Sequence, residues 1–135
     1  FSIEKLSGDA YQPSSIHEIG LYVDSSWHKL EPKDGLYDQS NAAESIDADI
    51  VQRHILAVGL GIDDPKADCI NFVGGNKDVH YLQAQVDQGA YAIAISLAPV
   101  ELDQFVQVCK QNLFMPPKST WFDPKIRSGL AITLL

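Results

Sequence analysis

Lys118, Ser119, Thr120, Lys125, Arg127 and Ser128 all fall between Pro116 and Gly129, near the end of this 135-residue chain. Ammonium, guanidinium and hydroxyl donors are what a phosphate or carboxylate needs. Pro116, Pro117 and Pro124 pre-set the backbone, so donors carried on this stretch need little ordering. The local charge balance also reverses here. Lys118, Lys125 and Arg127 stand against Asp123 alone, in a chain whose net charge is −8. The competing reading is a structural loop whose cations offset an acidic surface.

The string Lys118-Ser119-Thr120 resembles the end of a Walker A loop, but Pro116 and Pro117 stand where that motif needs glycines. Proline has no N–H with which to cradle a phosphate. Gly74-Gly75 is a weaker anion-binding candidate. It follows an expected strand and precedes an expected helix, whose N-terminus attracts anions. A plain tight turn is the commoner use of such a pair.

Asp63, Asp64 and Asp68 lack the spacing of a calcium loop, and Pro65 and Lys66 among them favour a solvated turn. No metal is expected there. His17, His28, His54 and His80 show no ligand spacing. His54 lies on an apolar helix stripe and reads as a core residue.

The net charge disfavours nucleic acid and anionic membrane surfaces as partners, since both select a positive patch. Twelve of the eighteen acidic residues precede Pro65. The longest apolar stretch, 90–100, is interrupted by Ser96 and Pro99 and is far short of the ~20 residues that span a bilayer. Cys69 and Cys109 stand among apolar neighbours and read as buried, reduced thiols, which suits a cytoplasmic setting. The first residue is Phe1 rather than Met. The chain is therefore expected to be one domain, residues 1–135, from the carboxy-terminal part of a longer protein.

The elements that must position these residues follow from periodicity. Ile19, Leu21 and Val23 alternate, and 27–30 follows across Ser25-Ser26, which predicts a hairpin. A loop is expected over 31–44. A helix should start at Asp47 as N-cap, with Ile46, Ile50, His54 and Val58 on one stripe, Val51 and Ile55 beside it, and Gly59 and Gly61 at its end. Residues 70–73 read as a strand. Asn76 is expected to cap a second helix with Val79, Leu82 and Val86 inside and Gly89 at its close. Residues 91–97 read as the clearest strand, with Ala92, Ala94 and Ser96 on a face small enough for a helix or a ligand to approach. A third helix should bury Leu102, Phe105, Val106 and Cys109, and 130–134 should form a last strand. Trp27 and Trp121 read as core or rim anchors. The expected class is α+β: a β-hairpin, then alternating helices and strands, in one mixed sheet with parallel pairs and helices packed on it.

Three segments have a familiar order and spacing: Leu60-Gly61-Ile62-Asp63-Asp64-Pro65, then Ile70-Asn71-Phe72-Val73-Gly74-Gly75, then the run from Met115 to Leu130. Together with Gly20-Leu21-Tyr22 and Trp27-His28-Lys29-Leu30, they resemble the carboxy-terminal half of the family catalogued as domain of unknown function 1015. The likeness covers nearly the whole chain. Longer members resemble the ParB and sulfiredoxin group in their amino-terminal half, where an Asp-Gly-His-His-Arg motif stands. This chain has no such motif, so no catalytic residue is carried over. Members usually have arginine where Lys66 and Lys77 stand here, which makes these two lysines secondary anion candidates with weaker bidentate capacity.

The resemblance implies a domain that helps to complete the phosphate site of an enzyme acting on a small metabolite. The missing amino-terminal half would be its partner, and a nucleotide would be its cofactor by analogy only. No cofactor motif is evident in the residues themselves. A non-catalytic binding, regulatory or dimerisation domain is the alternative. Homo-oligomerisation, the ligand and the reaction stay open.

Overall fold

The computed structural model of the chain describes residues 1–120. The expected strand at 130–134, and Trp121, lie outside them.

The hairpin forms where alternation places it. Strands β2 (Ile19–Val23) and β3 (Ser26–Glu31) pair antiparallel, with Tyr22 opposite Trp27. Asp24 and Ser25 make the turn at φ 48° and 55°. Two left-handed residues match the twist of a tight hairpin, and Asp tolerates that region. The edges come from β1 (Ser2–Lys5), which was not anticipated, and β4 (Ala94–Leu97), giving the order β1-β3-β2-β4. The α+β class is as expected. The parallel pairs are not: among the described residues all three ladders are antiparallel. After two helices and a long irregular stretch, β4 returns beside β2 running in the opposite direction.

Strand alternation splits the sheet into two apolar faces. On one, Ile19 and Leu30, flanked by Leu21, Ile95 and Leu97, pack against Ile50 and Val51. On the other, Tyr22 and Trp27 pack against Val79, with Val86, Leu6, Tyr11 and Ala94 around them. Helix α1 (47–60) covers the first face and helix α2 (Val79–Asp87) the second. The approach of a helix to the small-residue side of β4 is thus as expected. Gly20 is needed there: a Cβ would run into the Ser96 hydroxyl and lie 3.2 Å from the Trp27 and Tyr11 rings.

Helix α1 departs from the expected stripe. Its middle, Val51–Ala57, is π-helical, between α-helical Asp47–Ile50 and Val58–Leu60. Wider i→i+5 turns shift the inward face, so Ile55 and Leu56 follow Ile50 and Val51 into the core. Val58, four residues beyond His54, is left 81% exposed. Gly59 stays helical and Gly61 alone ends the helix, at φ 70°.

Three further expectations are corrected. Residues 70–73 form no strand: Asn71 and Phe72 are exposed, and the segment has no ladder partner among the described residues. Asp78, not Asn76, caps α2, accepting from the Tyr81 N–H at 3.0 Å. In helix α3 (Leu102–Lys110) the buried residue is Val108, while Leu102 is 75% exposed and Cys109 is exposed. Cys69, on the strandless segment, is exposed as well, so neither thiol is buried. Just past helix α3, Gln111 accepts from Ala42 N at 2.9 Å and donates to Ser40 O at 3.1 Å, tying the helix end to the 40–42 loop. Among the described residues no helix is long and apolar enough to cross a membrane.

Candidate functional site

The cationic stretch expected to bind an anion is described only as far as Thr120. Pro116 O accepts from both Ser119 N (3.3 Å) and Ser119 Oγ (2.7 Å), which closes a tight turn. Inside it Lys118 is held at φ 63°. That region costs an L-residue roughly 1–2 kcal/mol. The side chains of Lys118 and Thr120 are exposed, and among the described residues no carboxylate pairs with Lys118. Lys125, Arg127 and Ser128 lie outside the described residues.

The secondary candidates do not converge on an anion. Gly74 O accepts from Lys77 N at 3.1 Å, a plain turn. The N-terminus of α2 that Gly74-Gly75 would serve already holds a carboxylate, that of Asp78. The Lys77 ammonium lies 5.1 Å above the Tyr81 ring, a cation–π contact. Lys66 N is held by Asp64 Oδ1 at 2.8 Å, so this acid closes its own turn. Among the described residues no hydrogen bond or ion pair joins Lys66, Lys77 and Lys118.

What the fold does bring together is a set that sequence reasoning missed. Asp47 was expected to cap its helix. Instead Asp47 lies in the first turn and makes no cap; its carboxylate turns to His17. Oδ1 and Oδ2 each accept from His17 N at 3.0 Å, and Oδ1 meets His17 Nδ1 at 3.0 Å. On the other side of the ring, Nε2 is 3.0 Å from the Tyr37 hydroxyl, with the two rings 5.2 Å apart. His17 itself is left-handed at φ 65°.

The electrostatics follow from burial. Asp47 is 6% exposed, and desolvation pushes its carboxyl above the usual carboxylate value, against the pull of His17. Burial also raises the Tyr37 phenol, helped by the charges of Asp47 and Asp34. A phenol that stays protonated donates to Nε2, and Nδ1–H then donates to Asp47, so both neighbours select one tautomer of His17.

His17 lines an open cavity of about 700 Å³, together with Ser2, Ile16, Glu18 and residues 31–34. Lys29 lies between Glu18 (2.8 Å) and Glu31 (3.0 Å), and Tyr11 donates to Glu18 at 3.1 Å. The Lys29 ammonium holds Glu18 below its ordinary value, and the two carboxylates raise Lys29.

At the hairpin tip the polar contacts fasten α2 to the sheet. Tyr22 Oη donates to Asp87 at 2.7 Å and Trp27 Nε1 to Gln83 at 3.0 Å. Each is one tie on an apolar face.

No local signal marks the His17 set. Its members lie 30 and 20 residues from His17, and no motif joins them. No protein-family model, curated protein or solved structure matches this chain.

Proposed function

We propose that this chain supplies one wall of a phosphate- or carboxylate-binding site in a larger protein, an enzyme that uses phosphate chemistry on a small metabolite. The observation that supports this is Lys118. A tight turn behind two prolines holds an exposed cation in a strained backbone conformation that glycine would adopt freely. The resemblance to the carboxy-terminal half of the domain of unknown function 1015 family points the same way. Lys125, Arg127 and Ser128 would add donors, with Lys66 and Lys77 as secondary candidates. The partner in this reading is the amino-terminal half of the same protein, in the cytoplasm, with a nucleotide as the ligand that the family analogy suggests.

The test is thermal unfolding of the chain with inorganic phosphate or ATP. A ligand at a hundred times its Kd adds about 2.7 kcal/mol, several degrees in Tm. A rise that disappears in the triple variant Lys118→Ala, Lys125→Ala, Arg127→Ala supports the reading. An equal rise in that variant sinks it.

A non-catalytic docking role is the second reading, favoured by Phe114. This ring is 93% exposed and directly precedes Met115. If it seats against a second copy, Phe114→Ser turns a dimer into a monomer in light scattering. A monomeric parent chain removes this reading.

A further inference from the structure

We infer that Tyr37 is a nucleophile toward electrophilic esters, with His17 as its general base and Asp47 as the group that orients and charge-stabilises that base. The inference is independent of the anion site and rests on four observations. The hydroxyl, the imidazole and the buried carboxylate are in line, with 3.0 Å at each junction. These are hydrogen-bond distances suited to proton transfer. The imidazole is locked, because Asp47 takes both its Nδ1 and the backbone N–H of the same residue. That backbone is strained at φ 65°, a conformation that outlasts folding only when its surroundings impose it. Finally, His17 lines the cavity, and Asp34, whose charge acts on the Tyr37 phenol, lines it too.

The chemistry balances within the chain and one ester. As the Tyr37 oxygen bonds to the carbonyl carbon, its proton passes to His17 Nε2, and Asp47 faces the imidazolium that results. Collapse of the adduct breaks the bond to the leaving alcohol, which takes that proton back from Nε2. The products are an O-acyl tyrosine and a free alcohol, with neutral His17 restored. Because the phenol is held protonated by its burial, it needs this base at the moment of attack.

The lining of the cavity selects the substrate class. Glu18, Glu31, Lys33 and Asp34 line it, and Lys29 is shared by the two glutamates. Three carboxylates against two ammonium groups leave a small negative excess, which disfavours a multiply charged phosphoryl donor and does not act on an uncharged acyl ester.

The test uses the whole chain with p-nitrophenyl acetate, read by p-nitrophenol release and by peptide mass spectrometry. A positioned general base contributes at least about a hundredfold, so acetylation of Tyr37 should outrun that of Tyr11, Tyr22, Tyr81 and Tyr91 by that factor. Tyr37→Phe removes one oxygen and should lower the release to the slow level set by the remaining groups, while the chain still melts cooperatively. His17→Gln should bring Tyr37 down to the rate of the other four. Release undiminished in Tyr37→Phe, or a wild-type Tyr37 labelled no faster than the other tyrosines, overturns the assignment. Both of those readings stand even if His17→Gln fails to fold.

Discussion

His17 and Lys118 occupy the same left-handed region of backbone space, at φ 65° and 63°. They are held there by opposite means. Lys118 is kept by its neighbours: Ser119 donates twice to Pro116 and closes the turn around it. His17 is kept by residues 20 and 30 positions away, with its N–H and Nδ1 on Asp47 and its Nε2 against Tyr37. A locally imposed strain leaves the side chain free to meet a ligand. A strain imposed from afar uses the side chain itself, and so couples three titratable groups. The difference separates a loop that presents a charge from a site that assembles one.

The sharpest way to break this comparison is Asp47→Ala. It deprives His17 N and Nδ1 of their acceptor inside a buried setting, and should cost about 3 kcal/mol in urea unfolding. A cost below about 1 kcal/mol, that of an ordinary hydrogen bond, would mean that the contact does not hold His17 in place.

Glycine at the two positions should act with opposite signs. His17→Gly relieves the left-handed strain but loses both ring contacts, for a net loss of about 2 kcal/mol. Lys118→Gly relieves a similar strain and loses no contact with any described residue. Offset by the backbone entropy of glycine, it should stabilise the chain by about 0.5 kcal/mol. Equal signs in chemical denaturation would erase the distinction.

The pH dependence sharpens the same point. Asp47 has its folded value raised above the unfolded one, so the folded chain binds its proton more tightly. Its effect therefore favours folding at low pH, and stability is lost as pH rises from the unfolded carboxylate range through the raised folded value. Glu18 and Asp38 are lowered and act with the opposite sign, adding stability that is lost as pH falls. The difference in stability between the parent and Asp47→Asn isolates the first effect. It should move against the parent as pH rises across that window. A difference that stays flat with pH would show that Asp47 is not the group responsible.

Much of the fold was legible because its signals are local. Alternation marks β2, β3 and β4, and glycines mark the ends of helices α1 and α2: Gly61 and Gly89. Where a longer-range term intervened, the reading failed. The π-helical turn of α1 rotated Val58 outward, although the four-residue spacing placed it inward. Helix α3 buries Val108 rather than Leu102 or Cys109, and its end is tied through Gln111 to the 40–42 loop. Ile70 to Val73 has the composition of a strand but joins no ladder among the described residues. Of the candidate site, Lys118 to Thr120 could be named from composition alone, since charge and proline count need no fold.

By itself the sequence determined the α+β class, the hairpin, the helix that covers Gly20's side of the sheet and the one stretch where cations gather. Each of these rests on residues near one another in the chain, whose sterics, periodicity and charge act without tertiary help. Only the tertiary structure decided that the four described strands pair antiparallel, and that Asp47 serves a histidine rather than its own helix. Both depend on which surfaces meet when the apolar faces are buried, and hydrophobic burial is non-directional. It brings Tyr37 and Asp47 each to 3.0 Å from the His17 ring through packing that no spacing along the chain encodes.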